Sequence, residues 1–458
     1  VGRRFESCRK RFITELILDN VKLKFNLRNY KSVGYILFYF SLFLLASAPF
    51  ISSILLFLSL SIGFYEGRDY FLRNKLNIFF FICGMLIIIS ALMQLFILPN
   101  DLRNLWDLHL TAIGMFNWIP FFCFFWTAQI YLDSKKDRKN AALILIAGSF
   151  PVLISGLGQY FLNWIGPFQT LNGLVIWYQK PITPDTGLSG LFSNQNYTAA
   201  WLLLIWPFSL ALILEKTKKL SNKLISFSFL FFIFSSIVLT NSRSAWGGLV
   251  LTFPIIFGIN NFSWIIPLFI IIFTFLLLAL LPFKFIDFQN TISDIFFNKI
   301  LLKFSNQGFE GYTSTRTEIW SSALDNIYLN PLFGTGAGSF PIFFEIKNGI
   351  WAGHPHNLFL ELSISYGIPV ALISTTLLLY LFIRSSRELK MFKYLKNKNS
   401  LFDKAWWSSA FIFFILQIFD IQYFDLRLSI LFWILVSGLI NIINFKNNNS
   451  KIITSTDI

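Results

Sequence analysis

Two of the three histidines in this 458-residue chain fall in one short stretch, GHPHNLFLEL, at 353–362. His354 and His356 are two apart, beside Pro355, where a polar segment meets an apolar run. A neutral imidazole is well suited to take a proton near pH 7, so His356 is a candidate catalytic base. Paired histidines also suit a metal, but a structural or catalytic zinc needs three or four ligands. His109 lies in a different loop and no carboxylate pair has ligand spacing, so no metal or other cofactor is expected. Asn357 is a natural helix cap.

Two arginines raise a second possibility. Arg243 sits in NSRSAWGGL between Ser242 and Ser244, and Arg316 sits in YTSTRTEIW just ahead of Glu318. Guanidinium forks match phosphate oxygens, and a helix start adds backbone N–H donors. Ser242 supplies a further donor. The alternatives are snorkelling of Arg243 to lipid headgroups and pairing of Arg316 with Glu318 or Glu310. Asn194 and Asn196, in GLFSNQNYTAAWLL, are a cap candidate and a possible sugar contact, with capping favoured. Gln159, in GLGQYF, is either an interhelical hydrogen-bonding group or part of a site.

Which of these residues meet depends on the elements that carry them. The chain is 55% hydrophobic and 13% charged, with 57 Phe and 14 Trp, against about 25% charged in a soluble domain. Repeated apolar runs explain the deficit and imply an all-α polytopic membrane protein. Twelve spans are expected, near 33–48, 50–66, 78–98, 110–132, 141–162, 197–214, 224–240, 244–260, 263–282, 357–383, 405–420 and 427–445. The first two form either a tight hairpin about Pro49 or one broken helix. About 30 mixed polar residues precede the first run, so no cleavable signal peptide is expected. Cys8, Cys83 and Cys123 are too scattered to suggest a disulfide framework.

The net charge of +15 is read as basic cytoplasmic loops, not nucleic-acid binding. Segments 1–32, 67–77, 133–140, 215–223 and 384–404 and the tail hold most of the 38 Lys and Arg. With twelve spans all of them fall on one side, which the positive-inside rule makes cytoplasmic, together with both termini. The domains expected are a basic arm at 1–32, spans at 33–282, an extracytoplasmic loop at 283–356, spans at 357–445 and a cytoplasmic tail at 446–458. The loop is too long to be a mere connection. STRTEIWSSALDNIYLN should form a short helix in it, ended by Asn330-Pro331. The histidines, both arginines, the two asparagines and Gln159 then share the outer side.

These motifs resemble the O-antigen ligase and polymerase superfamily (Wzy-C type). His356-Asn357, nine residues, then Gly367 is similar to that family's His-Asn spacing. NSRSAWGGL, TSTRTEIWSSALDNIYLNPLFGTGAGSF and GLSGLFSNQNYTAAWLLL resemble its other segments, in the same order. The chain departs from the pattern at Gln195, in lacking an Arg ahead of the Ser189-Gly190 element (Lys180 is the nearest basic residue), at Glu361 one turn ahead of the usual acidic position, and at Val370. The resemblance implies a GT-C-like membrane glycosyltransferase working without metal at the outer face of the cytoplasmic membrane. It would move a glycan from undecaprenyl pyrophosphate to an acceptor sugar, beside other envelope-assembly proteins. Arg243 and Arg316 would hold the pyrophosphate, His356 would deprotonate the acceptor, and Asn357, His354, Asn194, Asn196, Gln159 and Ser242 would support substrate. A bicarbonate-uptake type of transporter is the alternative. It would need ionisable groups at mid-membrane, where only Glu361 stands out.

Overall fold

A computed structural model describes residues 30–68, 71, 74–97, 105–183, 186–215, 220–258, 316–391 and 400–455, with side chains up to 444. The basic arm up to residue 29, the expected span 263–282, the first part of the long loop and the last tail residues lie outside the described residues.

The described chain is almost wholly helical. It begins with α1 (Tyr30–Leu44) and α2 (Pro49–Glu66). Pro49 stands at the first turn of α2, where its missing N–H costs nothing. The two helices pack as a hairpin: Ser52 Oγ donates to Ser41 O (2.8 Å) and Ser59 Oγ to Gly34 O (3.0 Å). Gly34 is required there, because a Cβ would stand 2.3 Å from the Tyr131 hydroxyl. Small residues at such crossings let helix backbones approach where lipid offers no hydrophobic driving force.

There follow α3 (Lys75–Ile97), α4 (Leu108–Phe116), α5 (Ile119–Thr127) with a 3₁₀ turn (Ala128–Tyr131), α6 (Lys135–Gly148) and α7 (Phe150–Leu162). Next come α8 (Gln195–Leu214), α9 (Leu220–Leu239) and α10 (Arg243–Phe257). Beyond the gap stand α11 (Arg316–Leu329), α12 (Ser339–Asn348), α13 (Leu358–Tyr366), α14 (Ile368–Leu389), α15 (Leu401–Leu416) and α16 (Leu426–Ser455). Eight helical segments are long and apolar enough to cross a membrane, and α1 and α10 are shorter apolar helices. The protein is an integral membrane protein. Described helices overlap the expected spans other than 263–282, but among the described residues eight segments, fewer than the sequence pattern predicts, have the length and hydropathy of a span.

Three departures from the expected pattern have local causes. The run 110–132 is broken at Asn117-Trp118, where Pro120 opens a new helix. The run 357–383 is two helices meeting at Gly367, whose φ is +89°. A Cβ there would lie 2.1 Å from Leu332 O, so the corner demands glycine. The segment after α7 holds a small antiparallel ribbon, β1 (Phe168–Thr170) with β2 (Val175–Trp177), unexpected in an all-helical reading.

The bundle is centred on α8, α15 and the membrane part of α16, where Trp201, Trp406 and Trp433 are fully buried. Aromatic rings interlock there; Phe80, Phe122 and Phe125 all pack edge-on against Trp433. One charge pair sits inside this packing. Arg138 of α6 forms a two-pronged bridge to Asp403 of α15 at 2.7 and 3.1 Å, with both side chains under 5% exposed. Its remaining donors reach Leu132 O (2.9 Å) and Asp133 O (3.0 Å). Arg138 was counted with the solvated basic loops; it is a buried tie between two helices. On the opposite side of the bundle, α11 and α12 pack on α13 through a separate small core of Ile319, Ala323, Phe340, Phe344, Ala352 and Ile364.

Candidate active site

The spacing from Asn357 to Gly367 is the length of one capped helix. Asn357 is the N-cap of α13, its Oδ1 accepting from Phe359 N (2.9 Å) and Leu360 N (3.1 Å). Gly367 is the C-cap, with its N–H on Ser363 O at 2.9 Å. Two more bonds dock this helix start on the end of α15: Leu358 N to Gln417 O (2.9 Å) and Asn357 Nδ2 to Ile418 O (3.2 Å). His356 is thereby set at a fixed point, just ahead of the cap and facing the 417–425 loop.

His356 adopts φ +52°, an uncommon left-handed conformation for a residue with a Cβ. Its N–H donates to His354 Nδ1 at 3.2 Å, and the two rings stand edge to face at 4.3 Å. Trp320 of α11 pins the loop between them by donating to Pro355 O (3.0 Å). The imidazole of His356 reaches Asp420, Nδ1 to Oδ1 at 2.9 Å. Asp420 is itself held: Ile421 N donates to Oδ1 and Gln422 Nε2 to Oδ2, both at 3.1 Å. Gln417 accepts from Gln422 N and Tyr423 N, and Tyr423 donates to Asn117 O while stacking on Trp118. The carboxylate is therefore positioned by a rigid loop.

Arg316, first residue of α11, donates through Nη1 to Phe419 O, next to Asp420. It is within electrostatic reach of both Asp420 and Arg243. Desolvation lowers the pKa of Arg316, Asp420 raises it and Arg243 lowers it. Asp420 thus sets a negative charge beside Arg316, while Arg243 sets a like charge near it. Arg243 starts α10 directly after the turn at Thr240–Ser242. The 187–190 segment lies against that turn, with Leu188 N on Leu239 O at 2.9 Å, and a Cβ on Gly187 would stand 2.2 Å from Thr240 O.

Burial pushes the His354 imidazole down to about 4, with His356 adding to the shift, Asp420 opposing it and Arg316 adding again. His354 is neutral at pH 7, consistent with a ring nitrogen that accepts a backbone N–H. Burial acts to raise the Asp420 carboxyl. The hydrogen bond from His356 and the charges of His356, His354 and Arg316 outweigh it and hold Asp420 below its ordinary value of 3.8. An ionised Asp420 fixes the proton of His356 on Nδ1 and orients the Nε2 lone pair as the basic end.

The ligand atoms of His354, His356 and Asp420 all lie within 4.8 Å of one another, a set able to hold a metal ion. Asp420 supplies the third group that sequence reasoning had not found. Its oxygens already accept three hydrogen bonds, and His354 Nδ1 already accepts one. Arg316 adds a neighbouring positive charge.

The other expected residues separate. Asn194 caps α8, accepting from Asn196 N at 2.7 Å. Asn196 stands at the same helix mouth. Ser242 shares a hydrogen bond with Ser244 (3.2 Å). Gln159 holds the 180–190 segment against α7: Nε2 donates to Lys180 O and Ser189 Oγ, while Oε1 accepts from Ser189 N and Gly190 N. Its amide fixes the scaffold behind the α8 mouth. Asp420 was overlooked because nothing in DIQYFD marks one aspartate out; its position just past α15, in a segment the charge pattern assigns to the same side as the histidines, was the available signal.

Residues 228–375 match the family model described as O-antigen ligase. The match takes in Arg243, Arg316, His354, His356 and Asn357, and leaves Asp420 outside. No curated protein matches the chain in sequence.

Proposed function

We propose, from the match of residues 228–375 to the O-antigen ligase family model and from the site geometry, that the protein is a member of that family and transfers a glycan from an undecaprenyl-pyrophosphate donor to an acceptor sugar hydroxyl at the outer face of the cytoplasmic membrane. The observation that carries this is the His356–Asp420 hydrogen bond beside Arg316. It supplies a general base and a cation for the leaving group at adjacent positions.

The chemistry follows from those groups. The acceptor hydroxyl gives its proton to His356 Nε2 as its oxygen attacks the anomeric carbon. The bond from that carbon to the pyrophosphate oxygen breaks on the opposite face, with inversion, and the electron pair leaves on the phosphate. Arg243 and Arg316 stabilise that charge. Asp420 stabilises the imidazolium that forms, and solvent later takes its proton. General-base catalysis contributes about 10²–10⁴-fold, so His356 accounts for part of the rate and the arginines for another part. No metal is needed in this scheme, because guanidinium groups carry the charge on the leaving group.

The outer placement is supported by the charge pattern of the sequence: with twelve spans, most Lys and Arg fall in segments on one side, which the positive-inside rule makes cytoplasmic, and His356, Arg243 and Arg316 fall on the other. A strain deleted for the protein tests the function and its subtype. Loss of all attached surface chains marks a ligase. A rung of single repeats marks a polymerase. An unchanged glycan ladder overturns the proposal.

A further inference from the structure

Seven residues beyond Asp420 stands an arginine that the chemistry above does not use. Arg427, at the start of α16, is clamped on an edge and on a face. Its Nε and Nη2 bind the two oxygens of Asp425 at 2.9 and 2.5 Å. Its guanidinium carbon lies 3.7 Å from the centroid of the Phe192 ring, which is fully buried. Arg427 remains 13% and Asp425 8% exposed. Among the described residues Nη1 donates to no protein acceptor. Phe192 belongs to the turn leading into α8. Tyr197, on the first turn of that helix, has Asp425, Asp420 and Arg427 as its charged neighbours. The cluster thus bridges the α8 mouth and the loop that carries the carboxylate partner of His356.

A guanidinium clamped this way has its remaining N–H groups aimed in a fixed direction. The clamp also neutralises it. Arg243 and Arg316 are assigned above to the pyrophosphate, whereas Arg427 with Asp425 is a net-neutral set of donors and acceptors beside a phenol. Hydroxyl groups of a neutral sugar are both donors and acceptors and need such a set; a phosphate gains little from a cation already paired.

We propose that Arg427, Asp425 and Tyr197 form a saccharide subsite adjoining the His356–Asp420 pair, which holds the neutral sugar of the lipid-linked donor while Arg243 and Arg316 hold its pyrophosphate. This rests on the function proposed above. Arg427 is a positioning residue here, since it orients the sugar and takes no part in the proton transfer.

The test compares two probes on the purified full-length protein in lipid nanodiscs: undecaprenyl pyrophosphate without sugar, and the lipid-linked oligosaccharide extracted from the membranes of the cells that make this protein. The wild type should bind the saccharide form more tightly by roughly tenfold, the scale of one or two hydrogen bonds to charged groups. Arg427→Gln should bring that affinity down to the value for the bare lipid and leave bare-lipid binding unchanged. Tyr197→Phe, which removes only a hydroxyl, should lower the preference in the same direction and keeps the test valid if the arginine variant fails to fold. Arg243→Ala should weaken both probes. A preference retained in Arg427→Gln and Tyr197→Phe, an equal loss on both probes in these variants, or equal wild-type affinities would overturn the subsite and leave the functional proposal standing. No wild-type binding of either probe would overturn both.

Discussion

His356 Nδ1 and Asp420 Oδ1 lie 2.9 Å apart across 64 residues of sequence. The contact joins the loop before α13 to the loop after α15, and both loops are fixed from behind. An imidazole held by a carboxylate has one tautomer and one orientation, and in the proposed mechanism its other nitrogen is the base. Asp420→Asn keeps the shape and removes the charge. Turnover should fall by about 10²-fold or more, by analogy with general-base losses, while affinity for the lipid donor stays near wild type. Steady-state kinetics separating kcat from KM checks this; a change confined to KM would place Asp420 in substrate binding instead.

The pH response of folding should show His354. Its folded pKa of about 4 lies below the ordinary 6.5, so between these values the unfolded chain binds more protons than the folded one. Stability therefore rises with pH across that window and is lost as pH falls from about 6.5 toward 4. Asp420, held below 3.8, adds a loss at still lower pH. Thermal unfolding in detergent from pH 4 to 7 should give a rising Tm for the wild type and a flatter curve for His354→Gln. Equal slopes would show that His354 is not buried in its neutral form.

Gly367→Ala should be one of the more damaging single substitutions outside the reacting groups. The residue has φ +89°, and a new Cβ would meet Leu332 O at 2.1 Å. Left-handed strain alone costs about 1–2 kcal/mol, and the clash must also move the backbone that carries Ile368 N to Pro331 O. Lower Tm together with lower activity is expected, because the corner sets the lower end of the helix that His356 precedes. A variant with wild-type Tm would refute the tight corner.

Much of this site was legible in the sequence because its signals are local. The His-Asn-nine-Gly spacing is a cap, a helix of nine residues and a second cap, all encoded within α13. Arg243 and Arg316 were conspicuous because the segments that the charge pattern assigns to the outer side are poor in basic residues, and the helix from Arg316 to Leu329 ends ahead of Asn330-Pro331 as turn chemistry requires. Asp420, Asp425 and Arg427 were not legible. Their significance comes from packing of the 417–427 loop against segments far away in sequence, which no short motif records. The same holds for Arg138, whose bidentate partner is 265 residues distant, and for Gln159, whose amide partners are set by the fold of the 180–190 segment.

Arg138 and Asp403 make a separate prediction away from the site. Breaking a buried, hydrogen-bonded ion pair by removing one partner costs about 3–5 kcal/mol, whereas replacing both by apolar residues of similar size is often tolerated. Arg138→Met or Asp403→Leu alone should sharply reduce folded protein in detergent. The double variant should recover most of it. Size-exclusion profiles of the three variants check this, and single variants indistinguishable from wild type would show that the bridge is dispensable.

The most direct measurement is complementation of a deletion strain by His356→Ala, Asp420→Ala, Arg243→Ala and Arg316→Ala, each quantified for membrane insertion and for glycan attached at the cell surface. Loss of surface glycan by at least about a hundredfold, with the protein still inserted at wild-type level, is expected for His356→Ala. Comparable losses are expected when either arginine is removed. Wild-type amounts of surface glycan from all four variants would contradict the assignment of this cluster as the centre of the reaction.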